Sequence, residues 1–455
     1  MTVKVVCVAV VLFLLSATYL DFRIMPNQSS RALPVMTLVE DGELRIDKYH
    51  GVTEDKSLID GHYYSDKAPL SSWMTLPFYA VVRPFIAHLH PEIRLKIAIS
   101  LGAFVCGTMP FLATLLICLL WCRNAGAAPR QVLAVSLSLF GCLVFVYAGT
   151  FFGHLLAGLF LLLAYILHRE KERHLLAGIF LGFGFLAEFP IGLAVAVWSL
   201  QLVISRRRLR PALMLWLGFC PALVVIGLYN VAVTGNPLTF AYQYIPHEAF
   251  SAMGQQYGLG MPSLAALWGM TFGAKRGLFV CSPLLLWYVV VFLRSLRLKP
   301  VRETARELAS HPLVGFGGGT LLFFSSYYMW WGGWCFGPRH LIPLAVVWLY
   351  EGNRFVSRHG IHWASFAPIA VYGVCLNWMT KATHGFLIPD RYPFPVYDPV
   401  LVDFLWGRWS PLNALSGYLG TSLRLVTVGW ALLFIGLVLL LLLPWKPSPK
   451  TDTDP

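Results

Sequence analysis

Residues 61–85 read "GHYYSDKAPLSSWMTLPFYAVVRPF". Two tyrosines, an Asp-Lys pair and a proline lead directly into an apolar, tryptophan-bearing run. The spacing predicts a glycine turn, an extended polar stretch and then a helix from Pro69, since proline is tolerated in the first turn. Trp73, Phe78, Tyr79 and Phe85 suit a helix lying at an apolar–aqueous boundary. The rest of the chain supplies that boundary. Of its 455 residues, 57% are hydrophobic and 13% charged, with a mean hydropathy of +0.65. A soluble chain carries roughly twice that charged fraction. Apolar runs of membrane-spanning length recur from residue 3 to residue 444, and the short alternating segments of a β-barrel are absent. The expected fold is an all-α polytopic membrane protein.

Spans are expected near 3–20, 95–121, 131–149, 152–167, 174–188, 190–205, 212–233, 278–296, 311–330, 339–351, 361–379 and 422–444, about twelve in all. The chain then divides into a first transmembrane helix (1–20), a first extracytoplasmic loop with interfacial helices (21–94), a helical transmembrane body (95–444) and a cytoplasmic tail (445–455). Long outer loops at 234–277 and 380–421 interrupt the body. Val3–Leu20 reads as a retained helix, because the Ala17-Thr18-Tyr19 region is a poor cleavage site.

Charge supplies the orientation. With the N-terminus in the cytoplasm, 19 of the 35 Lys and Arg fall in short cytoplasmic loops and tails, against seven acids. The outer side is nearly balanced. The formal charge of +13 is therefore a positive-inside signal and gives no reason to expect a nucleic-acid partner. The nine cysteines lie in or beside apolar runs without the spacing of a disulfide framework or a zinc site.

The order of a first helix, an outer loop with an Arg-bearing helix, and "GHYYSDKAPLSSW" resembles the lipid-carrier-dependent glycosyltransferases of the GT-C superfamily. It is most similar to the family 39-like branch of protein mannosyltransferases and lipid A aminoarabinose transferases. The resemblance continues in "GNPLTFAYQY" (235–244), "GAKRGLFVCSPLLL" (273–286), "YYMWWGGWCFGPRHLIPL" (327–344) and "WSPLNALSGYLG" (409–420), so it covers nearly the whole chain. It implies a polyprenyl-phosphate sugar donor, a lipid, glycan or protein acceptor, and a site on the extracytoplasmic face, with the protein in a bacterial inner membrane.

Such chemistry needs a carboxylate to deprotonate the acceptor and cations for the departing phosphate. Lys67, Arg276 and Arg339 are candidates for phosphate contacts; the plain alternative for each is a snorkelling side chain or an ion pair. The resemblance implies an acid just before the Arg-bearing helix, yet this chain reads Asn27-Gln28-Ser29-Ser30-Arg31 there, and amides cannot act as bases. A second implied outer Asp is also missing: "AGTFFGHLL" (148–156) offers His154 alone. Asp66, Glu188 and Asp21 remain as carboxylates. Asp66 lies between Tyr64 and Lys67, and Glu188 ends an outer helix, where a membrane-edge acid is a functional candidate. Asp41, Asp47 and Asp60 read as turn residues. His154 would pair with Glu188, as acid–base or metal partner, if their helix ends converge. No metal site is assigned, although a divalent metal stays compatible with the family. Trp330, Trp334 and Tyr242, with Tyr64, are expected to wall a sugar pocket, the alternative for the tryptophans being an interfacial belt. Two other readings stay open: a transporter or flippase of lipid-linked sugars, and a catalytically inactive GT-C relative that binds lipid-linked glycan.

Overall fold

Helices follow the apolar runs. The computed structural model describes residues 3–124, 129–204, 207–296, 300–409 and 414–443. The expected cytoplasmic tail 445–455, the basic residues Arg206, Arg297, Lys299, Lys446 and Lys450, and the acids Asp452 and Asp454 lie outside the described residues. Among the described residues, three helices are long and apolar enough to cross a membrane: Pro91–Cys122 with 32 residues, Leu209–Thr234 with 26 and Leu423–Leu442 with 20. At 1.5 Å per residue, about 20 residues cover a hydrocarbon core. Seven further apolar helices have 10–17 residues.

The run 131–149, expected as one span, is broken. A helix Pro129–Phe140 ends at Gly141, and a short helix Leu143–Tyr147 restarts beyond it. The Ser282 hydroxyl accepts the freed backbone N–H of Leu143 at 2.8 Å, so the break costs no unpaired donor. Elsewhere small residues bring helices into backbone contact. A Cβ at Gly178 would lie 2.1 Å from the carbonyl of Leu215, which locks the helix His174–Ala187 against Leu209–Thr234.

The first outer segment positions the site. After α1 (Val3–Ala17), α2 (Pro26–Glu40) starts with proline at its first position and is buried from Gln28 to Thr37. Pro34 stands inside α2 rather than ending it. The extended stretch expected before Pro69 is a β-strand. β1 (Lys56–Ile59) pairs antiparallel with β2 (His62–Ser65), Lys56 facing Ser65 and Ile59 facing His62. Asp60 and Gly61 turn the hairpin with φ of 50° and 81°, the positive values a type I′ turn requires. α3 (Leu70–Ile86) follows, exposing Phe78, Val81 and Phe85 and burying Tyr79. The C-terminal end of α2 is clamped at Glu40. Its carboxylate accepts from the Tyr79 hydroxyl at 2.8 Å, Arg83 at 3.0 Å and Arg94 at 3.1 Å.

Candidate functional site

The first turns of α2 face a cavity of about 630 Å³. The hairpin exit, the segment 152–154, Glu188, the loop after 240 and the segments 327–340 and 386–390 close it. Of the buried polar residues of α2, Gln28, Ser30 and Arg31 find partners outside the helix, whereas the Ser29 hydroxyl has none.

Lys67 leaves β2 and reaches back over the start of α2. Its Nζ lies 2.7 Å from Asp66 Oδ2 and 2.8 Å from Asp55 Oδ2, and the Tyr242 ring centroid lies 5.8 Å away. Asp66 also accepts from Ser30 of α2 at 3.0 Å. Asn27 donates its side-chain amide to Asp55 Oδ2 at 3.2 Å. Arg31 binds both the carbonyl and the side-chain oxygen of Asn27, and its other arm meets Glu188 Oε1 at 3.2 Å. The same Glu188 oxygen lies 3.2 Å from His154 Nδ1. Lys67, Asp55, Asn27, Arg31, Glu188 and His154 thus form one polar chain around the cavity. At Gly153 the backbone passes so close that a Cβ would sit 2.6 Å from Glu188 Oε1.

Electrostatics divide the carboxylates. Burial alone would raise Asp55, but Lys67, Arg339 and Arg31 outweigh it and hold Asp55 below the usual aspartate range. Burial pushes Asp66 up, and Lys67 only partly opposes it while Asp55 adds to it. Lys67 would lose its proton more easily through burial, yet the two aspartates keep it above its ordinary value.

The cation side of the cavity has donors to spare. Arg339 lies over the Phe152 ring at 5.3 Å, and among the described residues no carboxylate stands within ion-pair distance of it. Buried Nε of Arg31, Nε of Arg339 and the Tyr328 hydroxyl all lack a hydrogen-bond partner there. Arg31, Lys67 and Arg339 all line the cavity, and three cationic side chains around one chamber fit an anionic ligand. Among the described residues no three His, Cys, Asp or Glu side chains are arranged to hold a metal ion; Asp55 and Asp66 converge on the Lys67 ammonium.

Among solved structures, the chain is similar to that of ArnT from Cupriavidus metallidurans bound to undecaprenyl phosphate. The TM-score is 0.51 at 15% identity, over 96% of this chain and 75% of that one. The apo state of the same protein gives 0.48 and 14% over the same shares. The chain shares the fold of that lipid-bound structure. No family model matches the sequence, and no curated protein matches it.

On this fold the structure brings Asp66, Lys67, His154, Glu188, Tyr242, Trp334 and Arg339 to one cavity. Four other sequence candidates lie elsewhere. Tyr64 points to the opposite face of β2 and packs with Ile59, Val233 and Ala241. Trp330 covers Gly269, where a Cβ would stand 2.2 Å from its ring, and lines a separate depression with Tyr327 and Tyr328. Arg276 is fully buried behind the rim. It binds Asp390 at 2.9 Å and the carbonyls of Gly333 and Ile388, so its contribution is to shape the wall. Asp21 pairs with Arg23 at 3.0 Å, away from the cavity.

The structure adds residues that sequence reasoning did not single out, Asp55, His340 and Asp390, and gives Asn27 a place in the site that its lack of basicity did not suggest. Asp55 lies in "TEDKS" (53–57), a charged loop with no recognisable spacing. Gln28, one of the two amides standing where the resemblance implies an acid, is a clamp. It accepts the backbone N–H of Phe151 at 2.8 Å and donates to the Arg23 carbonyl at 3.3 Å.

Proposed function

We propose that the protein is an integral membrane glycosyltransferase that moves a sugar from a polyprenyl-phosphate donor to a lipid, glycan or protein acceptor. The observation that carries this reading is the convergence of Arg31, Lys67 and Arg339 on one cavity, with no carboxylate among the described residues within ion-pair distance of Arg339. The GT-C fold, seen in ArnT bound to undecaprenyl phosphate, supports the same donor class. The acceptor oxygen bonds to the anomeric carbon, and the carbon–oxygen bond to the carrier phosphate breaks. Its electron pair leaves on the phosphate, whose charge Arg31, Lys67 and Arg339 balance. A cavity carboxylate takes the acceptor proton. Tyr242, Trp331 and Trp334 offer faces on which a sugar stacks.

The positive-inside distribution supports a cytoplasmic N-terminus, about twelve spans and an active face on the periplasmic or extracellular side of a bacterial inner membrane. The test is reconstitution in liposomes with a radiolabelled polyprenyl-phosphate sugar and acceptor extract. Acceptor-dependent release of carrier phosphate is expected; donor scrambling between leaflets without release would favour a flippase. One observation favours a non-transferring glycan-lipid binder: Lys67 bonds both Asp55 and Asp66, so two of the five cavity carboxylates are engaged by one ammonium. That reading predicts binding without transfer in the same assay.

A further inference from the structure

Five carboxylates line the cavity. Asp390 is taken by Arg276, and Glu54 stands at the exposed rim near His247. The surroundings of the other three differ. Asp66 is nearly sealed, with 2% of its side chain exposed; one oxygen accepts from Ser30 and the other from Lys67. Glu188, 18% exposed, places Oε1 between Arg31 and His154, and its Oε2 meets no donor among the described residues; unlike Asp55 it makes no contact with Lys67. Asp55 uses a single oxygen. Lys67 and Asn27 both meet Oδ2, and no donor among the described residues reaches Oδ1. With 14% of its side chain exposed, Asp55 is open where Asp66 is closed. It also stands beside the Lys67 ammonium, where a departing phosphate would be balanced.

Resting on the transferase reading, we infer that Asp55 is the catalytic base. Its free Oδ1 accepts the acceptor hydroxyl proton as the acceptor oxygen bonds to the anomeric carbon and the bond to phosphate breaks. The leaving electron pair stays on the carrier phosphate beside Lys67 and Arg339. Asp66 is then a positioning residue: it holds Lys67 between the base and the phosphate. Asn27 presents Asp55 by fixing Oδ2, which orients Oδ1 into the cavity. The base is thus supplied by the loop between α2 and β1, across one hydrogen bond from the α2 residue that faces it.

The experiment uses full-length protein in liposomes with a radiolabelled polyprenyl-phosphate sugar and acceptor extract, and tritiated undecaprenyl phosphate as binding probe. Asp55→Asn is expected to cut transfer by about 100-fold or more while probe binding stays within about threefold. Asp55→Glu keeps a carboxylate and is expected to retain more transfer than Asp55→Asn. The double variant Asn27→Asp with Asp55→Asn moves the carboxylate across the 3.2 Å contact and is expected to recover transfer at least about tenfold over Asp55→Asn. A structural role for Asp55 would not produce that recovery. If the wild type transfers and Asp55→Asn stays within about tenfold of it, the assignment is overturned while the transferase reading stands. If Asp55→Asn does not fold, loss of transfer in both carboxylate-bearing variants overturns the assignment. If the wild type binds the probe but transfers nothing, the transferase reading falls and takes the assignment with it.

Discussion

Arg31 and Glu188 lie 157 positions apart and meet at 3.2 Å on the cavity wall. Arg31 comes from the helix after the first outer turn, and Glu188 from the end of the helix His174–Ala187. The Arg31 side chain is 4% exposed. A buried charge of this kind is tolerated because its partner is built in, and removing one partner strands the other.

Arg31→Ala is therefore expected to lose transfer and to destabilise the fold by about 3 kcal/mol, through the uncompensated Glu188. Arg31→Ala combined with Glu188→Gln should regain most of the stability and none of the transfer. Thermal unfolding in detergent and the carrier-release assay check the two halves separately.

Lys67 separates two aspartates, so Lys67→Met should drive one of them to its neutral form and weaken undecaprenyl phosphate binding about tenfold or more. Adding Asp66→Asn removes the stranded charge. The double variant is expected to melt closer to the wild type while binding stays weak, as read by scintillation proximity with the tritiated lipid.

Glu40 gives a pH signature. Burial would raise its carboxyl, but the Tyr79 hydroxyl with Arg94 and Arg83 outweighs that and holds it below its ordinary value of 4.5. A depressed carboxylate stabilises fully above its unfolded pKa, and that contribution is lost as pH falls through the folded value. The stability difference between wild type and Glu40→Gln should be constant above pH 4.5 and shrink as the pH drops below it. A difference that grows on acidification would contradict the clamp.

Gly332 adopts φ of 82°, and a Cβ there would lie 3.1 Å from Arg339 Cγ and 3.0 Å from Cys335 Sγ. Gly332→Ala combines left-handed strain with displacement of Arg339. It is expected to lower the melting temperature by several degrees and to weaken undecaprenyl phosphate binding, whereas Gly429→Ala, where a Cβ meets nothing within 4 Å, should do neither.

How much of this was legible in the sequence differs from residue to residue. Periodicity and length marked the long apolar helices, and "SDKAPL" drew attention to Asp66 and Lys67 because charge before an apolar helix is costly unless used. Glu188 stood out for the same reason. The strand character of 62–65 was readable from its tyrosines, but its partner Lys56–Ile59 was not, because "DKSLI" carries no turn signal on its N-terminal side. Asp55 was invisible for a related reason: a charged loop has no period, and nothing in its neighbours distinguishes a solvated Asp from a buried one. Tyr64 and Tyr63 alternate on one strand, and the docking of the hairpin sends neither to the cavity: Tyr63 stacks on His50 and Tyr64 packs with Ile59, Val233 and Ala241.

The sequence by itself determined the solvent. Hydropathy and charge are sums over local stretches, and they dictated a helical membrane protein with a crowded polar segment near its start. Only the tertiary structure decided which polar groups share a chamber. Asp55, Arg31, Glu188 and Arg339 come from four separate segments, and a pairing between segments is fixed by helix packing and loop closure, which no local pattern encodes.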